Sequence, residues 1–508
     1  MSPIEPQAVG LSQATVRGAR WTYMSLAFNG LLQIAVFAIL ARLLPPTAFG
    51  LLATALIALR AGQTLVQSGI ERGLVWAPEV DAAHTSGIFL CSLVMGVALT
   101  GFALAAAFPL GAFFGRTDLV PVIAALSPLL LINAFGLTAR GLLRRAMAFG
   151  QIALSETLGY VVGYIFVGVG AAAAGLGVYS LVLAILTQAA VQSIVLLFAT
   201  RHAIAAPWRL NHVSPILGFS FKVSGLGVLE YLDTQIPVFF AGRLLGMQAL
   251  GIYSRSYSLV QLPVEQIGTS LTRVLFSSFS RAKTDQAALA RAVQGSLQFL
   301  AAVVLPVALG VGAAAPQITH LLLGSKWPGA NTVMTALCVG SAATIMANLL
   351  AVMSEATAKI AAKAAVQVVS STILIAGMIA LRSWGIAGVA VAFSVSRVAF
   401  LAMHILLASG QIGLKPWRLA AAMGPAALAG GLTAGGLLLA PMLLHGLNSN
   451  LILGIQIAAG GLISGGVYLL GFPVFVRQTL LRLSPALERR VTGTLRALGL
   501  HRLRSAYG

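Results

Sequence analysis

The stretch "SGLGVLEYLDTQIPVFFAGRLLG", Ser224 to Gly246, decides the fold class. It is long and apolar enough to cross a bilayer as a helix, which takes about 20 such residues. Yet it carries Glu230 and Asp233 near its middle. An ionised acid at the bilayer centre costs roughly 2.5–3.5 kcal/mol on insertion scales. Two acids at i and i+3 share one helix face. That face must therefore meet water, a basic partner or a ligand rather than lipid.

Runs of this kind recur from end to end. The chain has 508 residues, of which 58% are hydrophobic and 9% charged, with a mean hydropathy of +0.93. These values predict an all-α polytopic membrane protein. A transmembrane barrel is excluded, because its strands would alternate in hydrophobicity over about 10 residues. The 54 glycines suit close helix packing in lipid. Fourteen spans are predicted, at about 19–41, 48–70, 86–108, 119–140, 152–172, 176–199, 217–241, 248–272, 293–315, 328–351, 361–381, 385–408, 418–440 and 451–472. Residues 1–18 form a cytoplasmic N-terminus and 200–216 a cytoplasmic linker between six-helix lobes at 19–199 and 217–408. Residues 418–472 hold spans 13 and 14, and 473–508 form a basic tail. Residues 1–16 are polar, Arg17 and Arg20 follow, and the next run is long enough to stay in the membrane, so no cleaved signal peptide is expected.

Charge placement tests this division. With the N-terminus in the cytoplasm, only Arg42, Arg116, Arg243, Lys326 and Arg382 of the 32 basic residues fall on the opposite side. Arg60, Lys222, Arg255 and Arg397 lie within spans, and all the others face the cytoplasm, as the positive-inside rule requires. Both termini are then cytoplasmic. The net charge of +20 is thus read as topology rather than as a nucleic-acid surface. Cys91 and Cys338 both sit in apolar runs and suggest neither a disulfide nor a metal site.

A faint internal repeat accompanies the spans. "RLLPPTAFGLLATAL" begins at Arg42 and "RLLGMQALGIYSRSY" at Arg243, an offset of 201 residues. Each follows the first span of its lobe. An offset of six helices preserves orientation, so the lobes would be parallel repeats around a central cavity, a common transporter design with the substrate site near the midplane. Under the offset, Asn29 stands opposite Glu230.

Mid-span polar residues are the candidates for chemistry. Glu230 and Asp233 lie about 11 and 14 residues into span 7. Two such carboxylates repel, which favours a proton on one of them; ion coupling and a satisfied structural pair are both open readings. Arg60 lies about 12 residues into span 2, with Gln63 and Gln67 on neighbouring turns. An arginine cannot shed its proton, so it requires an anion or water. Its partner is either an acid of span 7 or an anionic substrate. Asn29 and Gln33 on span 1 serve either helix–helix hydrogen bonding or the cavity. Arg255 is close enough to the interface to snorkel, and Arg397, halfway along span 12, needs a partner. Pro263 would kink span 8. Glu156 is expected to pair with Arg144 or Arg145. The sequence has no Walker-A loop, nucleotide fingerprint, nucleophile motif or His-rich metal site, so neither an enzyme nor a resident cofactor is expected.

Several phrases resemble one family. "ARLLPPTAFGLLA" at Ala41, "ARGLLRRAMAFGQIALSE" at Ala139, "GLGVYSLV" at Gly175 and above all "YLDTQIPVFFAGRLLGMQALGIYSRSYSLVQLPVEQI" at Tyr231 are similar to Wzx-type oligosaccharide flippases. These are polysaccharide transporters of the multidrug/oligosaccharidyl-lipid/polysaccharide (MOP) superfamily. The match is strongest with the colanic-acid-exporter-like branch, and it covers about residues 12–410. Asp233 and the run Tyr253–Ser254–Arg255 fill positions that recur there, whereas Glu230 departs from a neutral residue.

The resemblance implies a flippase for undecaprenyl-diphosphate-linked oligosaccharide repeat units in the bacterial inner membrane. It would serve exopolysaccharide, capsule or O-antigen assembly and be driven by a proton or sodium gradient. Polymerase and export machinery are its implied partners. Arg60, Arg255, Asn29, Gln33, Gln63 and Arg397 would line the substrate cavity, with Asp233 and Glu230 as coupling residues. A lipid II-type flippase and a multidrug/cation antiporter of the same superfamily are the alternatives. A membrane polysaccharide polymerase fits less well, because no predicted outer loop is large enough for a catalytic site.

Overall fold

The computed structural model describes residues 30, 32–77, 79–201, 231–262, 285–357, 359–443 and 449–468. These residues are helical, with no strand among them. Ten helices among them are long and apolar enough to cross a membrane. A bent pair, Leu32–Leu43 and Pro46–Ile57, would make an eleventh. The chain forms two compact units, Met1–Ser254 and Arg255–Gly508.

Unit 1 begins with α1 (Leu32–Leu43) and α2 (Pro46–Trp76), which meet at a 119° bend. Pro45 is extended, at φ −73° and ψ 156°, and Pro46 takes the first position of α2. A residue before proline is driven out of the helical region, and proline itself suits a helix start. The dipeptide thus ends one helix and begins the next. Then come α3 (Ala82–Phe114), α4 (Leu119–Leu126), α5 (Pro128–Arg145), α6 (Phe149–Tyr160), a π-helical stretch (Val161–Gly168), α7 (Val169–Ala173) and α8 (Val178–Thr200).

The Asp81 carboxylate caps α3 by accepting from the backbone N–H of His84 at 2.8 Å. Across the α3–α4 turn, Arg116 binds Asp118 through two nitrogens, at 2.9 and 2.5 Å, and holds that carboxyl below its usual range. α5 is central to the unit and packs on α2, α3 and α8. The π stretch inserts a residue, so that Gly159, Gly163 and Gly168 all face α8 at distances that leave no room for a side chain.

Unit 1 also holds α9 (231–240), a π turn (Ala241–Leu245) and the start of α10 (246–262). Gly246 lies at φ 84° and ψ 173°, a conformation that glycine alone adopts readily and that no helix contains. The run from Tyr231 to Leu262, one of the ten spans, is thus interrupted at Gly246.

The α1–α2 bend and the α9–α10 bend touch each other backbone to backbone. A methyl group on Gly50 would fall on the Met247 carbonyl, and one on Gly251 would fall on the Pro46 carbonyl. Adding 201 to positions 46 and 50 gives 247 and 251, so the two contacts exchange under the sequence offset. Thr54 seals the junction, donating to the Gly50 carbonyl at 3.0 Å and lying 3.5 Å from the Met247 sulfur.

Unit 2 continues α10 and adds α11 (Gln286–Ala313), α12 (Ala315–Leu322), α13 (Ala330–Ala356), α14 (Ile360–Ala380), α15 (Gly385–Ile412), α16 (Pro416–Ala422), α17 (Gly424–Leu443) and α18 (Ser449–Gly466). Its core is formed by α11, α13 and α15, with Val293, Leu297, Val304, Leu350 and Met353 at or near zero exposure. α14 covers α15, while α17 and α18 pack outside α11. Polar bonds tie α18 down: Gln456 donates to the Leu437 carbonyl at 2.9 Å, and Thr433 and Ser464 bond at 2.8 Å.

The outer surface is apolar. Only 28% of the most apolar window of α3 is buried within the protein, and Phe102 and Phe108 project outward. A surface of this kind on a helix long enough to span belongs in lipid. The Gly50 and Gly251 contacts make a stability prediction. Gly50→Ala and Gly251→Ala should each destabilise the detergent-purified protein by about 2 kcal/mol, because backbone must move to admit the methyl group. Gly101→Ala, where the structure leaves open space, should instead raise Tm slightly through helix propensity, worth up to about 1 kcal/mol. Thermal melts of the three variants check this.

Candidate functional site

Arg60 is the fifteenth of the 31 residues of α2, and its side chain is exposed. One turn back, the Ile57 carbonyl accepts a hydrogen bond of 2.7 Å from the Tyr231 hydroxyl of α9. This bond ties α9 to the middle of α2 and sets Arg60 within electrostatic reach of the phenol. Asp233 follows two residues along α9 and is only 4% exposed, whereas its neighbours Leu232 and Thr234 are exposed. α9 thus turns its acid into protein rather than towards lipid, as the energy of a membrane carboxylate requires. Arg60 and Asp233 belong to the same unit, on helices that the Tyr231 bond joins.

The other proposed residues of unit 1 contribute less. Gln33 on α1 and Gln63 on α2 are half-buried and make no side-chain hydrogen bond among the described residues. Asn29, Glu230, Lys222, Pro263, the tail 473–508 and the side chain of Gln67 lie outside the described residues.

In unit 2, Arg255 is partly buried on α10, and Arg397 on α15 is 5% exposed. The Arg397 guanidinium lies over the Phe393 ring at 5.4 Å and the Phe400 ring at 5.5 Å. Tyr257 of α10 meets Phe393 edge-on at 5.7 Å. Two aromatic faces supply the negative surface that a desolvated guanidinium needs, worth about 2 kcal/mol or more for a buried cation. This aromatic pair is the partner that the sequence left unnamed, although the spacing Phe393, Arg397, Phe400 already placed both rings on one helical face.

At one end of unit 1 the ion pairs differ from expectation. Arg144 binds Glu71 at 2.6 Å, and Arg145 donates to the carbonyls of Leu74 and Ala77. Glu156 instead faces Arg140 at 3.9 Å. The cause is competition: Glu71, with a side chain only 8% exposed, needs a full partner, and Arg145 satisfies the open carbonyls at the end of α2. The described residues contain no group of three or more His, Cys, Asp or Glu side chains able to hold a metal ion.

A model of the family described as "Polysaccharide biosynthesis protein" matches residues 39–332, more than half of the chain. The chain belongs to that family. It is similar to the lipopolysaccharide biosynthesis protein WzxC of Escherichia coli (strain K12), with 23% identity over 333 residues, 65% of this chain and 68% of that protein. It is also similar to the succinoglycan biosynthesis transport protein ExoT of Rhizobium meliloti (strain 1021), with 25% identity over 332 residues, 65% of this chain and 66% of that one. Among solved structures, the lipid II flippase MurJ in an inward closed conformation shares the fold. Its TM-score is 0.73 at 12% identity, covering 88% of this chain and 97% of that one.

Two substitutions test the geometry. Arg397→Lys keeps the charge but loses the planar group lying over both rings, and should lower stability by about 1–2 kcal/mol. Tyr231→Phe should cost about 0.5–1.5 kcal/mol through the lost bond to Ile57. Melting in detergent measures both, and an unchanged Tm for Arg397→Lys would show that the rings do not hold the guanidinium.

Proposed function

We propose that this protein is a flippase that moves polyprenyl-diphosphate-linked oligosaccharide repeat units from the inner to the outer leaflet of the bacterial inner membrane. The exposed guanidinium of Arg60 at the middle of an apolar helix carries the reading. Lipid tails cannot face a permanent charge at that depth, so the surface around Arg60 is wet. A cationic, wet surface replaces the hydration of a diphosphate as it crosses about 30 Å of hydrocarbon. The names of WzxC and ExoT, which place those proteins in lipopolysaccharide and succinoglycan biosynthesis, support the substrate class.

In this proposal the chain has fourteen spans with both termini cytoplasmic, and the lobes 19–199 and 217–408 are parallel repeats that rock between inward-open and outward-open states. The exchange of Gly50–Met247 with Gly251–Pro46 under the 201-residue offset supports the repeat. Such a crossing of spans 1 and 2 with 7 and 8 suits the point where two lobes meet. Asp233, buried on α9, would bind the coupling proton or sodium ion and change the charge of the site between states. Glu230 would assist it, and Arg255 and Arg397 would add positive charge. Polymerase and export machinery would take the product.

A null strain tests this. Wild type should restore surface polymer. Arg60→Ala and Asp233→Asn, at wild-type levels, should each reduce export at least tenfold, with lipid-linked repeat units accumulating on the cytoplasmic leaflet. Full export by both variants would remove the site, and intact polymer in the null strain would remove the substrate class.

A further inference from the structure

Unit 2 holds a buried polar seam that the residues above do not use. On α14, Lys363, Gln367 and Ser370 recur at i, i+4 and i+7, and all three are buried. α15 meets them with Ser396, which donates to the Ser370 carbonyl at 2.8 Å, and with His404 further along. At the end of the seam, the Lys363 ammonium is 2.5 Å from the Glu355 carboxylate at the close of α13. Beside that pair, Gln411 donates to the Ser354 hydroxyl at 3.4 Å and accepts from Thr357 at 3.0 Å.

His404 is the unusual member. It has zero exposure, its ring packs edge-on against Phe400 at 4.3 Å, and its Nδ1 lies 3.0 Å from the Phe400 carbonyl. A carbonyl only accepts, so Nδ1 carries the proton and Nε2 is left as a bare acceptor. That Nε2 is buried and has no hydrogen-bond partner among the described residues. An unmet acceptor in a protein interior is costly and asks for a donor. The Ser370–Ser396 contact sets the register of the antiparallel helices α14 and α15, and seven residues along it Lys363 stands level with residue 403, beside His404.

We propose that Nε2 of His404 is a proton-binding site for which a solvent proton and the Lys363 ammonium compete. While Glu355 is ionised it holds Lys363, and Nε2 is open to a proton. When Glu355 is neutralised or moves away, Lys363 is released and donates to Nε2, and the ring stays neutral. The proton enters past Glu355, whose side chain is 38% exposed while that of Lys363 is 8% exposed. On protonation the ring becomes an imidazolium with both nitrogens donating, and no other bond is made or broken.

The charges around the site fit this competition. α13 supplies Glu355, α14 supplies Lys363, and Arg397 lies two turns back on α15, engaged with its two rings. Arg291 on α11 and Arg418 on α16 are exposed, the latter over Trp417. Asp285 caps α11, and Lys359 and Lys415 precede α14 and α16, while Glu355 is the acid bonded to Lys363, so its state decides whether Lys363 is held. The site uses neither Arg60 nor Asp233 and does not depend on the identity of the transported substrate.

Solid-state NMR of the full-length protein, ¹⁵N-labelled at histidine and held in bilayers, reads the site directly. His404→Gln identifies the His404 signal among the seven histidines. In wild type, Nε2 should change from bare acceptor at pH 9 to protonated at pH 5. At pH 6, Lys363→Met should raise the protonated fraction at least threefold over Glu355→Gln. At pH 9, Glu355→Gln should show Nε2 as a hydrogen-bonded acceptor. Glu355 is half-exposed, so Glu355→Gln and wild type decide the matter even if Lys363→Met fails to fold. Nε2 remaining a bare acceptor throughout in both overturns the proposal, as does an equal protonated fraction at pH 6 in wild type and Glu355→Gln.

Discussion

Hydrocarbon offers no hydrogen-bond partner and no screening, so every polar group carried into the bilayer must be satisfied by the protein or by water that the protein admits. This constraint shapes each helix described above. Serines and threonines bond back to carbonyls on their own helix, as Thr54, Ser92 and Thr433 do. Amides reach across, as Gln456 does to Leu437. Arg397 is met by two aromatic faces and Lys363 by Glu355. Arg60 is different, because it sits at the centre of α2 and remains exposed. The proposed function rests on that exposure.

Close backbone approach is the second theme. Without a hydrophobic drive between helices, packing in lipid depends on small residues that let backbones touch. Gly50 and Gly251 bring the two bends of unit 1 together against each other's carbonyl groups. The bends have different causes: consecutive prolines at 45 and 46, and Gly246 in a glycine-only conformation at the later bend. Two unlike local solutions support one reciprocal contact.

Much of the fold was legible in the sequence, because apolar runs of about 20 residues have few alternatives to spanning helices. For Asp233 the depth demanded a face turned away from lipid, towards water or a basic partner, and the structure adds that the residue is only 4% exposed. Ion-pair choice was not legible. Glu156 and Glu71 both had arginines in range, and only the packing of α2 on α5 gives Arg144 to Glu71 and leaves Arg140 to Glu156. The Tyr231 bond to Ile57 joins residues 174 apart and leaves no local signature. His404 lay in plain view at helical spacing from Arg397 and Phe400, but its open nitrogen depends on which groups α13 and α14 bring near it.

Water access at position 60 tests the central claim most directly. In a background with Cys91→Ser and Cys338→Ser, Arg60→Cys should react with a charged, membrane-impermeant thiol reagent in intact membranes. Phe102→Cys, on the lipid-facing surface of α3, should not react. Protection of both positions at every pH and ion gradient would contradict a wet, cationic site at the centre of α2.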